Sequence, residues 1–136
     1  MAVNITCEYL GDLRVRATHG PSGHVLVTDA PVDNQGKGDG FSPTDLAATA
    51  MATCFLTILG INARNTGLDL AGARATIAKH MTTTPLRRLA RLDVEIAMPP
   101  GVPPEARERL VRAAEACPVK QSLHPDVEIV LSWTWH

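Results

Sequence analysis

Two cysteines stand where thiol chemistry is possible. Cys54 lies in the middle of an uncharged run from Leu46 to Ala63, and Cys117 directly precedes Pro118, close to Lys120. The thiolate is the nucleophilic form of a cysteine, so its surroundings decide whether it reacts or merely packs. Cys54 is flanked by Met51, Phe55, Leu56 and Ile58, which makes it either inert packing or a shielded reactive group. Leu110, Ala113, Ala114 and Cys117 fall at i, i+3, i+4 and i+7, the buried stripe of an amphipathic helix. Pro118 cannot continue that helix smoothly but suits the first turn of a new one, Pro118–Leu123. At the positive end of that turn, beside Lys120, the Cys117 thiol is expected to have a lowered pKa. The third cysteine, Cys7, alternates with Val3, Ile5 and Tyr9 and reads as a small buried hydrophobe on a strand.

Other chemistries find less support. His19, His24, His80, His124 and His136 show no zinc-like spacing with the cysteines or each other, and C-x-x-C is absent. There is no G-x-S-x-G elbow. The glycines between Asp29 and Phe41 match neither phosphate-binding fingerprint. That loop is long enough to be functional, for instance as a lid over the entrance to the following helix. Arg87, Arg88 and Arg91 read as a solvated hairpin. A net charge of −1 with interspersed signs, and 4% aromatic residues, point away from nucleic acid and anionic membranes. The N-terminal residues show no charged leader, and three cysteines form an odd set for a disulfide framework, so a reducing cytoplasm is the expected location. The residues alone rank thiol chemistry first and a plain binding dimer second.

The elements that must position these thiols are legible. Ser42 is a good N-cap, Pro43 suits the first turn, and Asp45 completes an S-x-x-D capping box. The helix that follows is apolar on every face and is expected to be buried on all sides. A membrane span is the rival reading, since the run approaches the roughly 18 residues that raise suspicion. Thr49, Thr53, Thr57, Gly60 and Asn62, and the lack of a flanking Trp/Tyr belt, favour a core helix. Alternating apolar residues mark strands around Val3–Tyr9, Leu13–Ala17, Val25–Val27, Ala73–Ile77, Leu92–Met98 and Val127–Trp135. Three strands, a helix, two strands, a helix and a strand make an α+β domain with antiparallel sheets around a long buried central helix. A chain this short cannot cover a uniformly apolar helix alone, so a dimer enclosing both central helices is expected.

Phe41-Ser42-Pro43-Thr44-Asp45-Leu46 with Cys54 downstream, and Cys117-Pro118-Val119 followed by Ser122-Leu123, closely resemble the OsmC/Ohr family. The stretch from Asp29 to Asp45 resembles its OsmC-like branch, often called YhfA-like. The match runs through nearly the whole chain, and the two cysteine motifs together make it specific. The resemblance implies a single OsmC-like domain over residues 1–136 in an intertwined homodimer with two interface active sites. It further implies a peroxidase that reduces organic hydroperoxides with no metal, haem or flavin. Cys54 would be peroxidatic and pass through a sulfenic acid. Cys117 would resolve it to a Cys54–Cys117 disulfide, which an external dithiol reduces.

The pattern departs from the family at the activating groups. Family peroxidases use an Arg from the N-terminal strands and a Glu early in the central helix. Here the Glu place falls on Thr44, with Asp45 beside it, and Arg14 and Arg16 are the available arginines. Asp45 precedes Cys54 by nine positions, which puts it on the opposite helix face and ~13 Å along the axis. Any contact with Cys54 must then come across the dimer. Arg14 and Arg16 alternate with Leu13 and Val15, a pattern that also suits two solvated side chains. The departure keeps a second class open: an OsmC-fold dimer with little peroxidase activity that binds a small apolar ligand or acts as a thiol redox sensor.

Overall fold

The computed structural model describes all 136 residues, which divide into two compact units, Met1–Ala47 and Ala48–His136. The first unit is an antiparallel sheet of order β1-β2-β3, with β1 Ile5–Gly11, β2 Arg14–His19 and β3 Val25–Asp29. The β1–β2 turn places both Asp12 (φ 53°) and Leu13 (φ 64°) in the left-handed region, an unusual conformation for leucine. The Leu13 N–H donates to the Tyr9 hydroxyl at 3.3 Å. The register sets Cys7 opposite Ala17 and Ala17 opposite Leu26. Ile5, Cys7, Tyr9, Ala17 and Leu26 therefore share one face, and Glu8, Arg14, Arg16 and Asp29 the other. The apolar face is uncovered, with Tyr9 65% exposed. Cys7 is exposed too, against the expectation of a buried hydrophobe. Alternation assigns it to the apolar face, but around Cys7 that face is open to solvent.

From Ala30 to Phe41 the chain makes a closed loop containing a short 3-10 turn, Val32–Asn34. Its neck is fastened by the Asp29 N–H donating to the Phe41 carbonyl at 3.1 Å. Gly36 passes so close to Ala30 that a Cβ would lie 1.7 Å from the Ala30 carbonyl oxygen, so no other residue fits there.

Helix α1, Pro43–Asn65, begins in the first unit and continues through the second. Its start is a reciprocal capping box. The Ser42 N–H donates to the Asp45 carboxylate at 2.9 Å, and the Asp45 N–H donates to Ser42 Oγ at 3.1 Å. One face is buried, through Ala48, Met51, Phe55, Leu59 and Ala63. Thr53, Thr57, Gly60 and Ile61 are exposed, so a single chain covers the helix on one side only. α1 is long and apolar enough to cross a membrane, yet Met51 and Phe55 sit wholly inside a protein core.

The second unit adds β4 Arg74–Thr82, β5 Arg88–Ala97, α2 Pro104–Glu115, α3 Pro118–Ser122 and β6 Glu128–Thr134. Its sheet order is β4-β5-β6. β4 and β5 form an antiparallel hairpin, whereas β6 runs parallel to β5. The expectation of antiparallel sheets thus holds for every pairing but this one. A parallel partner needs a crossover, and α2 and α3 supply it. Leu92, Val94 and Ile96 point inward from β5 and pack with Met51, Phe55, Leu110 and Cys117 in one core. Trp133 and Trp135 stack at 5.2 Å, and the Arg107 guanidinium lies 5.2 Å above the Trp135 ring.

Candidate thiol site

α2 ends at Glu115 with Ala116 as its C-cap, and Cys117 leaves the helical conformation with φ −55° and ψ 122°. Pro118 requires this step, because the residue before a proline is pushed out of the α region. The step makes Cys117 the N-cap of α3, where its sulfur accepts the Lys120 N–H at 3.4 Å. Cys117 is completely buried, whereas Cys54 on α1 is only partly so. Both are free thiols and neighbours, Cys117 inside the apolar core and Cys54 packed against it, close enough to influence each other electrostatically. Residues 63 positions apart in the chain thus meet in the second unit.

The electrostatics of Cys117 run opposite to the sequence expectation. Burial, then the neighbouring Cys54 side chain, push its thiol pKa up, and the Lys120 and Val119 N–H groups pull it down without prevailing. The Lys120 ammonium does not serve the sulfur, because the Glu115 carboxylate holds it. Burial thus favours the protonated Cys117 thiol, and Cys54 is the more accessible of the two sulfurs.

The four activating candidates all have partners in the first unit. Arg14 pairs with the Asp39 carboxylate, with its guanidinium 4.0 Å from Asp29. Arg16 donates to Glu8 at 3.1 Å. Thr44 Oγ1 and Ser42 Oγ are hydrogen-bonded at 3.2 Å, and Asp45 belongs to the capping box. The sequence reading missed Asp29, a carboxylate with 3% exposure. The Asp39 N–H and the Arg14 charge hold its pKa below the usual 3.8, against the opposing effect of burial. One of its oxygens, Oδ1, has no hydrogen-bond partner. Nothing local in the sequence marks it, since its partners come from β2 and the far side of the loop. No three His, Cys, Asp or Glu side chains converge as a metal-ligand group.

Similarity to known proteins agrees with this fold. The family model for OsmC-like proteins matches residues 36–132. A crystal structure from Psychrobacter arcticus, of a protein whose name ties it to osmotic-stress induction and a detoxification response, is 41% identical. It has a TM-score of 0.89, with 100% of this chain and 97% of that one covered. An organic hydroperoxide resistance protein OsmC from Legionella pneumophila is 20% identical, with TM-score 0.78 and 98% and 97% covered. The organic hydroperoxide resistance protein OhrB of Bacillus subtilis is 17% identical, with TM-score 0.70 and 98% of each chain covered. These last two share the fold. A search of curated proteins finds no match. With the family model spanning most of the chain and a 41% identical relative along its whole length, this chain belongs to the OsmC-like family.

Proposed function

We propose that this chain is a thiol-dependent peroxidase for organic hydroperoxides, working as one OsmC-like domain over residues 1–136 within a homodimer. The observation that carries the reading is the juxtaposition of two free thiols at one apolar core, Cys117 within it and Cys54 packed against it. Cys54 is the sulfur a peroxide can reach, so it is the nucleophile. Its thiolate attacks the distal peroxide oxygen, the O–O bond breaks, and the alkoxide leaves and is protonated to the alcohol. Cys54 is then a sulfenic acid. Cys117 attacks that sulfur, the S–O bond breaks, and water departs as the disulfide forms. An external dithiol returns both thiols by exchange, which suits a reducing compartment such as the cytoplasm. The chain's own residues supply the nucleophile and the resolver.

Two surfaces support a second copy. The apolar face of the β1–β2–β3 sheet lies open at Ile5, Tyr9 and Leu26, and α1 presents Thr53, Thr57, Gly60 and Ile61 to solvent. Exposed apolar area on this scale marks an interaction surface.

One observation favours a second reading, a family-fold dimer with slow turnover that binds a small apolar ligand or senses oxidants. Arg14 is held by Asp39, and Arg16 by Glu8, so neither guanidinium is idle for a thiolate. Single-turnover oxidation of the reduced protein separates the readings. An organic hydroperoxide is expected to remove two thiols rapidly and give one Cys54–Cys117 bond by mass spectrometry. Cys54→Ser should abolish the reaction, and Cys117→Ser should halt it at a sulfenic acid. Oxidation no faster than that of an ordinary buried thiol would leave the slow-turnover reading.

A further inference from the structure

The Cys117 segment carries more fastening than a helix end needs. Its N–H donates to the Ala114 carbonyl at 3.0 Å, its carbonyl accepts the Gln121 N–H at 3.1 Å, and its sulfur accepts the Lys120 N–H at 3.4 Å. Across this point the Lys120 ammonium reaches back to the Glu115 carboxylate, and the Gln121 side-chain amide donates to the Glu115 carbonyl at 3.2 Å. Lys120 thus touches the sulfur with its main chain and the end of α2 with its side chain. α3 has no fully buried residue, only Val119 partly buried against the core, and five residues are too few for a helix to persist unaided. Together with the core packing of Cys117, the clasp fixes the direction in which its sulfur points.

We propose that Glu115 and Lys120 are positioning residues for the resolving step, locking the Cys117 sulfur onto Cys54 so that disulfide closure outruns other fates of the sulfenic acid. This rests on the peroxidase reading above. The step concerned is the second one: Cys117–SH and Cys54–SOH become Cys54–S–S–Cys117 and water, the S–O bond breaking as the S–S bond forms. An ion pair with side chains 27% and 49% exposed adds little to stability. Geometry is different, because a displacement of about 1 Å at a reacting atom can slow a step by up to ~100-fold. The clasp is therefore expected to govern a rate while leaving the melting temperature nearly unchanged.

The test is stopped-flow oxidation of the full chain with an organic hydroperoxide, trapping sulfenic acid with a dimedone probe and following disulfide by mass spectrometry. Lys120→Ala and Glu115→Ala should form sulfenic acid at the parent rate but close the disulfide about tenfold more slowly, with more sulfinic acid at excess peroxide. The exchanged pair, Glu115→Lys with Lys120→Glu, rebuilds the clasp with its charges reversed and should restore closure. Parent-rate closure in both single variants overturns the positioning role and leaves the peroxidase reading intact. An exchanged pair as slow as the singles also overturns it, since the Lys120 charge would then matter by itself. A parent protein that forms neither sulfenic acid nor disulfide overturns both.

Discussion

Every buried hydrophobic side chain of this protein lies in the second unit; in the first, only Thr28, Asp29 and Ser42 are buried, and all are polar. The second unit closes a core from α1, α2, β5 and β6 within one chain. The first unit is an amphipathic sheet whose apolar face meets solvent. The same period-2 pattern thus has two outcomes, because a pattern declares which face wants cover and not what supplies it.

The sharpest break of this comparison is a paired truncation. Phe55 is fully buried in the second unit's core, and Phe55→Ala should cost about 3–5 kcal/mol in urea unfolding. Ile5→Ala, on the open face of β1, should stay within about 0.5 kcal/mol if nothing covers that face. If a second copy covers it, the cost rises and depends on protein concentration.

The next largest effect is on assembly. Tyr9→Asp places a charge on the exposed face of β1 without touching the core of the second unit. Light scattering behind size exclusion should show the parent as a dimer and the variant as a monomer, with the second unit's helical signal retained. A variant that stays dimeric would assign the interface elsewhere, with the exposed stripe of α1 as the next surface to examine.

How far the sequence spoke follows the same division. Local signals were readable: the Ser42–Asp45 box, the Pro118 restart and the stripe ending at Cys117 all follow from spacings of a few residues. Strand faces were readable too, since alternation is local. Cover was not, so Cys7 reads as buried and is exposed. The parallel pairing of β6 with β5 was hidden because strand partners across a helical crossover leave no periodic trace. Long-range side-chain choices were equally hidden. Arg14 finds Asp39, 25 positions away, and Lys120 prefers Glu115 to the neighbouring thiol. The two thiols show the limit most plainly. Their motifs name them through a family resemblance, but only the packed core brings them together.

A smaller effect tests the junction where α1 enters from the first unit. Ser42 is 1% exposed and donates its N–H to Asp45 while its hydroxyl accepts the Asp45 N–H. Ser42→Ala removes the hydroxyl half of that exchange and should cost about 1 kcal/mol. Ser42→Thr keeps the acceptor and should recover most of the loss. Amide exchange of Asp45 reports the cap directly, and unchanged protection in Ser42→Ala would show that Asp45 alone holds the helix start.

At neutral pH the smallest effect is that of two aspartates, one in each unit, and acid separates them. Asp29 in the first unit is held low mainly by the Asp39 N–H and Asp93 in the second mainly by Arg91, with burial opposing in both. A carboxylate whose folded pKa lies below its unfolded value contributes stability that is fully present above that unfolded value. The contribution is lost as pH falls through the folded value. Both contributions should therefore be fully present and constant around pH 7 and fade only below about 3.8. Salt tells them apart. Asp93 pairs on an exposed sheet face with Arg91 at 2.6 Å and His80 at 2.8 Å, where ions screen it. The Asp29 side chain is 4% exposed, and its bond to the Asp39 N–H is beyond the reach of ions. The acid loss of Asp39 amide protection should accordingly be independent of salt and absent from Asp29→Asn, whereas the Asp93 contribution should fade as salt rises. Equal salt dependence at both sites would mean that the loop neck in the first unit is as open to water as the outer sheet of the second.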